Sequence, residues 1–199
     1  MTAGLRIELL RGHELSARIE ALADLRVTVF REWPYLYEGT REYESHYLGV
    51  YLRSPRSLTV LVHDADRCIG ATTVVPLADA GADAQRPFVE GGHAIERIDY
   101  FGESVVLPEY RGRGLGVLFF EKREAHAREH GLDFCAFCAV ERPDDHPARP
   151  ADYLPNDRFW QRRGYARLPG LQTTFSWPDL GATESTPKPM LFWGKRLAP

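Results

Sequence analysis

The chain has 199 residues, 44% hydrophobic and 27% charged, with a formal net charge of −3. That length supports one sizeable core and is short for two, so residues 1–199 are expected to form a single globular domain. The weak negative charge leaves no footprint for nucleic acid, and no apolar run reaches the length of a membrane span. The start, Met1-Thr2-Ala3-Gly4-Leu5-Arg6, lacks a signal-peptide pattern, and three cysteines, few and odd in number, favour a reducing, cytoplasmic setting.

Residues 5–10 alternate apolar with polar and read as a first strand. From His13 onward, Leu15, Ile19, Leu22, Ala23, Val29, Phe30 and Trp33 keep a helical period that ends before Pro34. Arg26 falls on that apolar stripe, where a satisfied or snorkelling arginine is favoured over a substrate role. Residues 33–52 concentrate Trp33, Tyr35, Tyr37, Tyr43, Tyr47 and Tyr51 with Glu38, Glu42 and Glu44, and predict a loop and a second helix. The tyrosines either pack with a wet edge or wall a cleft. Two β-rich runs, 57–63 and 68–77, are joined by Asp64-Ala65-Asp66-Arg67, a hairpin signal. A polar stretch over 78–93, with a short helix near 86–90, leads to a strand over 98–107. The following helix runs to about His130, where Gly131 is a natural stop. A strand over 134–140, a proline-laden loop over 142–155, a short helix around 156–163 and late β runs over 171–177 and 190–197 complete the order.

Neither metal-like pattern survives inspection. Cys135 and Cys138 lie three apart in an apolar strand, which points them to opposite faces, and no second Cys/His pair has ligand spacing; they read as core cysteines. His126 and His130 are four apart on a helix, but sit among Glu121, Lys122, Arg123, Glu124 and Glu129, which reads as a solvated face. No metal is expected.

The stretch around which the chain is organised is Val105-Val106-Leu107-Pro108-Glu109-Tyr110-Arg111-Gly112-Arg113-Gly114-Leu115-Gly116. An apolar strand ends at a proline and passes through a glycine-rich loop into a helix. Glycines there let backbone N–H groups close on a ligand, and the free N–H groups of the first helical turn attract an anion. Arg111 and Arg113 add charge suited to phosphate. A P-loop would need Lys-Ser or Lys-Thr, which is missing, and a dinucleotide loop would need glycine where Val117 stands. ATP binding is therefore disfavoured.

What fits is Arg-x-x-Gly-x-Gly, and this resembles the acetyl-CoA pyrophosphate loop of the GNAT superfamily of N-acetyltransferases. Phe159-Trp160-Gln161-Arg162-Arg163-Gly164-Tyr165 is similar to the superfamily's late signature. The element order β-α-α-β-β-(short helix)-β-α-β-α-β-β implies an α/β (α+β) fold. Its central sheet would be mixed and mostly antiparallel, flanked by helices, with one parallel crossover at the glycine loop. That order matches the superfamily's, which implies a splayed strand pair at the cofactor site.

The resemblance implies roles for particular residues. The backbone of Ser104, Val105 and Val106 would receive the acetyl-pantetheine arm. The loop residues Arg111, Gly112, Arg113, Gly114, Leu115 and Gly116 would hold the pyrophosphate. Acyl transfer to an amine needs a neutral amine, a polarised thioester and protonation of the departing thiolate. Glu103, beside the expected thioester, is the first candidate base, with a salt-linked glutamate as its bland reading; Asp99 and Glu141 follow. Many members carry a tyrosine where this chain has Trp160, whose indole N–H cannot serve as the acid, so Trp160 is expected to pack on the cofactor. Tyr153 is the acid candidate, with Tyr165 or water as alternatives, and Asn156 is carried over to the cofactor site. The implied activity is transfer of acetyl from acetyl-CoA to a primary amine, a small molecule rather than a protein tail, in a ternary complex. Pairing through the late strands, frequent among members, implies a homodimer. The competing expectation is a non-catalytic acyl-CoA-binding or regulatory domain on the same fold.

Overall fold

The structure is a computed structural model describing residues 4–198. Its strands are β1 (Leu5–Arg11), β2 (Leu58–Asp64), β3 (Arg67–Pro76), β4 (Ile98–Val106), β5 (Phe134–Val140), β6 (Ala166–Pro178) and β7 (Ser185–Arg196). Its helices are α1 (Ile19–Phe30), α2 (Arg41–Tyr47), α3 (Gly49–Arg53), α4 (Ala82–Glu90), α5 (Leu115–Glu129) and α6 (Asp157–Arg162). The strands make one sheet in the order β1-β2-β3-β4-β5-β7-β6. Every neighbouring pair is antiparallel except β4–β5, which α5 connects as a parallel crossover. The α/β class and the mostly antiparallel sheet are thus as expected from the element order.

β2 and β3 are buried along nearly their whole length, because α1 packs on one side of the sheet and α5 on the other. Under α5, Phe120 interlocks with Phe101 and Tyr165, the Phe120 and Tyr165 ring centroids lying 4.9 Å apart. Each such ring removed from water stabilises the fold by about 1.5–3 kcal/mol. The helix expected from His13 to Trp33 is shorter than its periodicity suggested. Gly12–Arg18 is a 3₁₀ segment, opened by the Glu14 carboxylate accepting from the Arg11 amide at 2.8 Å, and α1 starts only at Ile19. Residues 41–53 form two short helices rather than one, and β6 begins at Ala166, ahead of its apolar run.

Two irregularities shape the centre. β4 and β5 pair only at Ile98–Phe134, Asp99–Cys135 and Tyr100–Ala136; beyond Tyr100, β4 stays on β3 through Val106 while β5 stays on β7 through Val140. The two strands therefore open as a V whose vertex is at Tyr100. The second irregularity is a bulge: Thr72 pairs with Ser104 and Val74 with Phe101, so two steps of β3 span three of β4. An extra residue reverses which face the following side chains take. Asp99 and Phe101 face α5, whereas Glu103 turns to α1. Gly102 is required at the bulge, since a Cβ there would lie 1.9 Å from the Tyr51 hydroxyl.

The solvated-face expectation for His126 is corrected. α5 buries Arg123, Glu124 and His126 together with Phe119 and Ala127, and a charged run read along the chain concealed that stripe. Cys135 and Cys138 are buried, as expected of core cysteines. Among the described residues no helix is long and apolar enough to cross a membrane.

Candidate active site

The V opens into a cleft of about 2260 Å³ that passes from the glycine loop to the aromatic segment after α1. On the loop side, Gly112 and Gly114 have φ of +73° and +87°, a left-handed backbone that glycine adopts without strain. A Cβ at either position would meet nothing within 4 Å, so the loop lies open to a ligand. Gly114 is the N-cap of α5 and gives it no side-chain cap, leaving the first-turn N–H groups free for an anion. These are the features a pyrophosphate needs. Arg111, Gly112, Gly114, Leu115 and Gly116 line the cleft. Arg111 is held by Glu32 at 2.7 Å and donates to the Val106 carbonyl, while Arg113 leans away over the Tyr110 ring and donates to Glu109 O.

The strand side of the V is the β4 edge. From Phe101 to Val106 it has no partner on the β5 side, so backbone groups of Ser104 and Val106 face the opening; both residues line the cleft. Val105 departs from the expectation: its side chain is buried in the core, and its backbone, like that of Leu107, turns to β3, where it pairs with Ala71. The Ser104 hydroxyl is engaged with Thr72 Oγ1 at 2.9 Å.

Glu103 is 4% exposed and ion-paired to Arg26, which also pairs with Glu44. Burial pushes the Glu103 carboxyl up and Arg26 pulls it only partly back, leaving it above the usual glutamate range. Arg26, flanked by two carboxylates, is held above its already high ordinary value despite burial. The triad sets two carboxyl groups against one guanidinium, and one oxygen each of Glu44 and Glu103 has no hydrogen-bond partner. Phe30, Tyr35, Tyr47 and Tyr100 line the cleft around it. Arg26 is therefore a satisfied arginine, as expected of its place on α1, and it also organises the candidate site.

The remaining candidates divide. Tyr153 lines the cleft from the proline-laden loop, set edge-on to Trp33 with ring centroids 5.9 Å apart; burial raises its phenol. Trp160 sits between Phe137 and Trp193, at 5.0 and 5.1 Å, and Asn156 caps the start of α6; both line the cleft. Tyr165 is elsewhere: it is buried beneath α5 and donates to Glu124 at 3.2 Å. Asp99 is on the far face, 2.7 Å from His126 Nδ1, and Glu141 stays at the exposed rim.

Sequence reasoning missed three things: the Glu44 contribution, the bulge that aims Glu103, and Arg142. Arg142 donates to the Pro34 and Tyr35 carbonyls and pairs with Asp179, tying the proline-laden loop to the cleft wall. Helical spacing from Leu115 and Phe119 to Arg123 was a legible signal that Arg123 is buried.

The acetyltransferase (GNAT) family model matches residues 19–165. No curated protein matches the chain in sequence. Solved structures with the same fold include an acetyltransferase from Thermus thermophilus, at 13% identity over 98% of this chain and 99% of that one, TM-score 0.59. Ribosomal-protein-alanine N-acetyltransferase from Brucella melitensis aligns at 15% identity over 96% and 99%, TM-score 0.61. The yncA protein of Salmonella typhimurium, solved with its cofactor acetyl-CoA, aligns at 11% identity over 98% and 95%, TM-score 0.56. At these identities the likeness is one of fold. The chain belongs to the GNAT acetyltransferase family, whose co-substrate is acetyl-CoA.

Proposed function

We propose that this protein transfers an acetyl group from acetyl-CoA to the primary amine of a small cationic molecule. The observation that carries this reading is a continuous path: the glycine loop leads into the unpaired β4 edge, which ends beside Glu103. Arg111, Gly112, Gly114, Leu115 and Gly116 bind the pyrophosphate through backbone N–H groups and Arg111, while Arg113, leaning away, adds charge near the loop. Backbone groups of Ser104 and Val106 orient the pantetheine arm as an added strand would, with Val105 between them anchored to β3. Trp160 and Asn156 wall the arm on the α6 side. Bound acetyl-CoA supplies the acyl group as a thioester.

Glu103 takes the proton from the acceptor's ammonium, directly or through water. A carboxyl raised by burial and partly drawn back by Arg26 is a stronger base than an exposed glutamate, which suits that role. Two carboxyl groups against a single guanidinium, with one unpartnered oxygen on each glutamate, and the rings of Phe30, Tyr35 and Tyr47 favour a cation over a neutral or acidic acceptor. Tyr153 is the available phenol for returning a proton to sulfur. The strands outside the family match, β1 and β7 among them, join the same sheet, which supports one acetyltransferase domain over residues 1–199.

The test is a thermal-shift titration with acetyl-CoA, CoA and ATP, followed by CoA release with a panel of primary amines. Stabilisation by both CoA species and not by ATP, then turnover with polyamine-like or aromatic amines, supports the reading. CoA binding with no turnover on any amine would leave a non-catalytic acyl-CoA-binding domain.

A further inference from the structure

Arg123 is 3% exposed, yet among the described residues it has no carboxylate partner. Its one hydrogen bond is from Nε to the Phe119 carbonyl, 3.3 Å away in the preceding helical turn. Its guanidinium lies over the rings of Phe101 and Phe120, 4.2 and 4.7 Å from their centroids. The acids in its surroundings pair elsewhere, Asp99 with His126, Glu103 with Arg26 and Glu124 with Lys195 at 2.8 Å, and the free oxygens of Asp99 and Glu103 do not reach it. Burial, only partly offset by the charges of nearby groups such as Glu103 and Asp99, lowers Arg123 to about 10, which still leaves it cationic at neutral pH. A buried guanidinium whose terminal nitrogens lack partners, on the wall of a cleft, is arranged to bind an anion that arrives with a ligand.

Its position selects which ligand. Leu115, Phe119 and Arg123 lie on one stripe of α5, running from the glycine loop down to the vertex of the V, and all three line the cleft. Phe101, on which Arg123 stacks, is the first residue of β4 past the last β4–β5 pair. A pantetheine arm descending β4 from the loop would bring its thioester to Ser104 and Glu103. Whatever extends beyond that carbonyl points to the vertex. The bulge sends Glu103 and the acceptor cleft to the α1 face, whereas Arg123 stands on the α5 face. The anion therefore belongs to the acyl group and not to the acceptor.

Resting on the CoA-thioester path proposed above, we propose that the vertex of the splayed strands admits, besides acetyl, a short acyl group ending in a carboxylate, bound by Arg123. The transfer balances as it does for acetyl. A C–N bond forms to the amine, the C–S bond breaks, the amine's proton ends on the CoA sulfur, and the distal carboxylate is unchanged.

Calorimetric titration of the full chain with CoA, acetyl-CoA, butyryl-CoA and succinyl-CoA, without amine, tests this. Succinyl-CoA and butyryl-CoA match in length and differ in charge. Wild type is expected to bind succinyl-CoA about tenfold or more tighter than butyryl-CoA, the worth of a hydrogen bond to a charged group. Arg123→Met should erase that preference while keeping the affinity for CoA itself, and Arg123→Lys should retain part of it. Equal binding of succinyl-CoA and butyryl-CoA by wild type overturns the proposal whether or not the variants fold, as does a preference that survives in Arg123→Met. If no CoA species binds a folded wild type, the acyl-CoA reading fails first and this proposal with it.

Discussion

His126 Nδ1 lies 2.7 Å from Asp99 Oδ2, and its Nε2 lies 2.6 Å from the Arg56 carbonyl oxygen, with both side chains wholly buried. One imidazole thus joins α5, β4 and the turn before β2. Removing it strands the Asp99 carboxyl, already raised by burial and only partly relieved by His126, in an apolar setting. His126→Ala is expected to cost about 3–5 kcal/mol. For a chain of this size that lowers the melting temperature by about 6–20 °C. Thermal unfolding followed by circular dichroism checks it. The stabilisation by acetyl-CoA should be unchanged, since this pair lies outside the cleft.

Glu103 predicts a pH limb. Its carboxyl sits above the usual range because burial outweighs Arg26. As a base it must be ionised, so kcat/KM should fall as pH drops through that raised value, at higher pH than an exposed glutamate would show. Glu103→Gln should reduce kcat by about 10²–10⁴ and abolish the limb. Arg26→Met removes the influence that lowers Glu103, so its limb should move to higher pH. A limb unchanged in Glu103→Gln would assign the base elsewhere.

Gly114 separates backbone strain from ligand binding. At φ +87° with open space around it, Gly114→Ala meets no atom and suffers only left-handed strain, about 1–2 kcal/mol. Gly114→Glu has the same strain and adds a negative charge at the helix N-terminus. In thermal-shift assays both variants should melt lower than wild type. Stabilisation by acetyl-CoA, about 2.7 kcal/mol at a hundredfold excess over its Kd, should vanish only in Gly114→Glu. Equal shifts in both would remove the pyrophosphate from this loop.

Asp179 predicts part of the acid sensitivity. Burial acts to raise its carboxyl, but the hydrogen bond and charge of Arg142, and then Lys188, outweigh it and hold the group below 3.8. A depressed carboxyl contributes stability above its unfolded value that is lost as pH falls through the folded one. The group is partly exposed, so the contribution is roughly 1 kcal/mol. Asp179→Asn should lower the melting temperature at pH 7 while barely changing it at pH 2, which paired melts would read. An equal drop at both pH values would mean the charge is not the cause.

Much of the fold was legible because its signals are local. The glycine loop, the 134–140 strand and the stop at Gly131 follow from turn chemistry and side-chain period, and the structure places each within a residue or two. The site was legible where it rests on backbone, as at Gly112, Gly114 and Ser104. It was obscured where it rests on side chains distant in sequence. Arg26, Glu44 and Glu103 meet across 77 positions, and nothing near any of them announces the others. Tyr165 and Tyr153 were alternatives for one role until packing sent the first under α5 and the second to the cleft.

By itself the sequence determined the element order, the parallel crossover and the open glycine loop at the helix N-terminus, because glycine, proline and apolar periodicity act within a few residues of themselves. Only the tertiary structure decided where β4 and β5 part, which way Glu103 turns, and that Arg123 is buried without an acid. Those depend on one extra residue in a strand and on charges brought together by the sheet, and neither has a local signature.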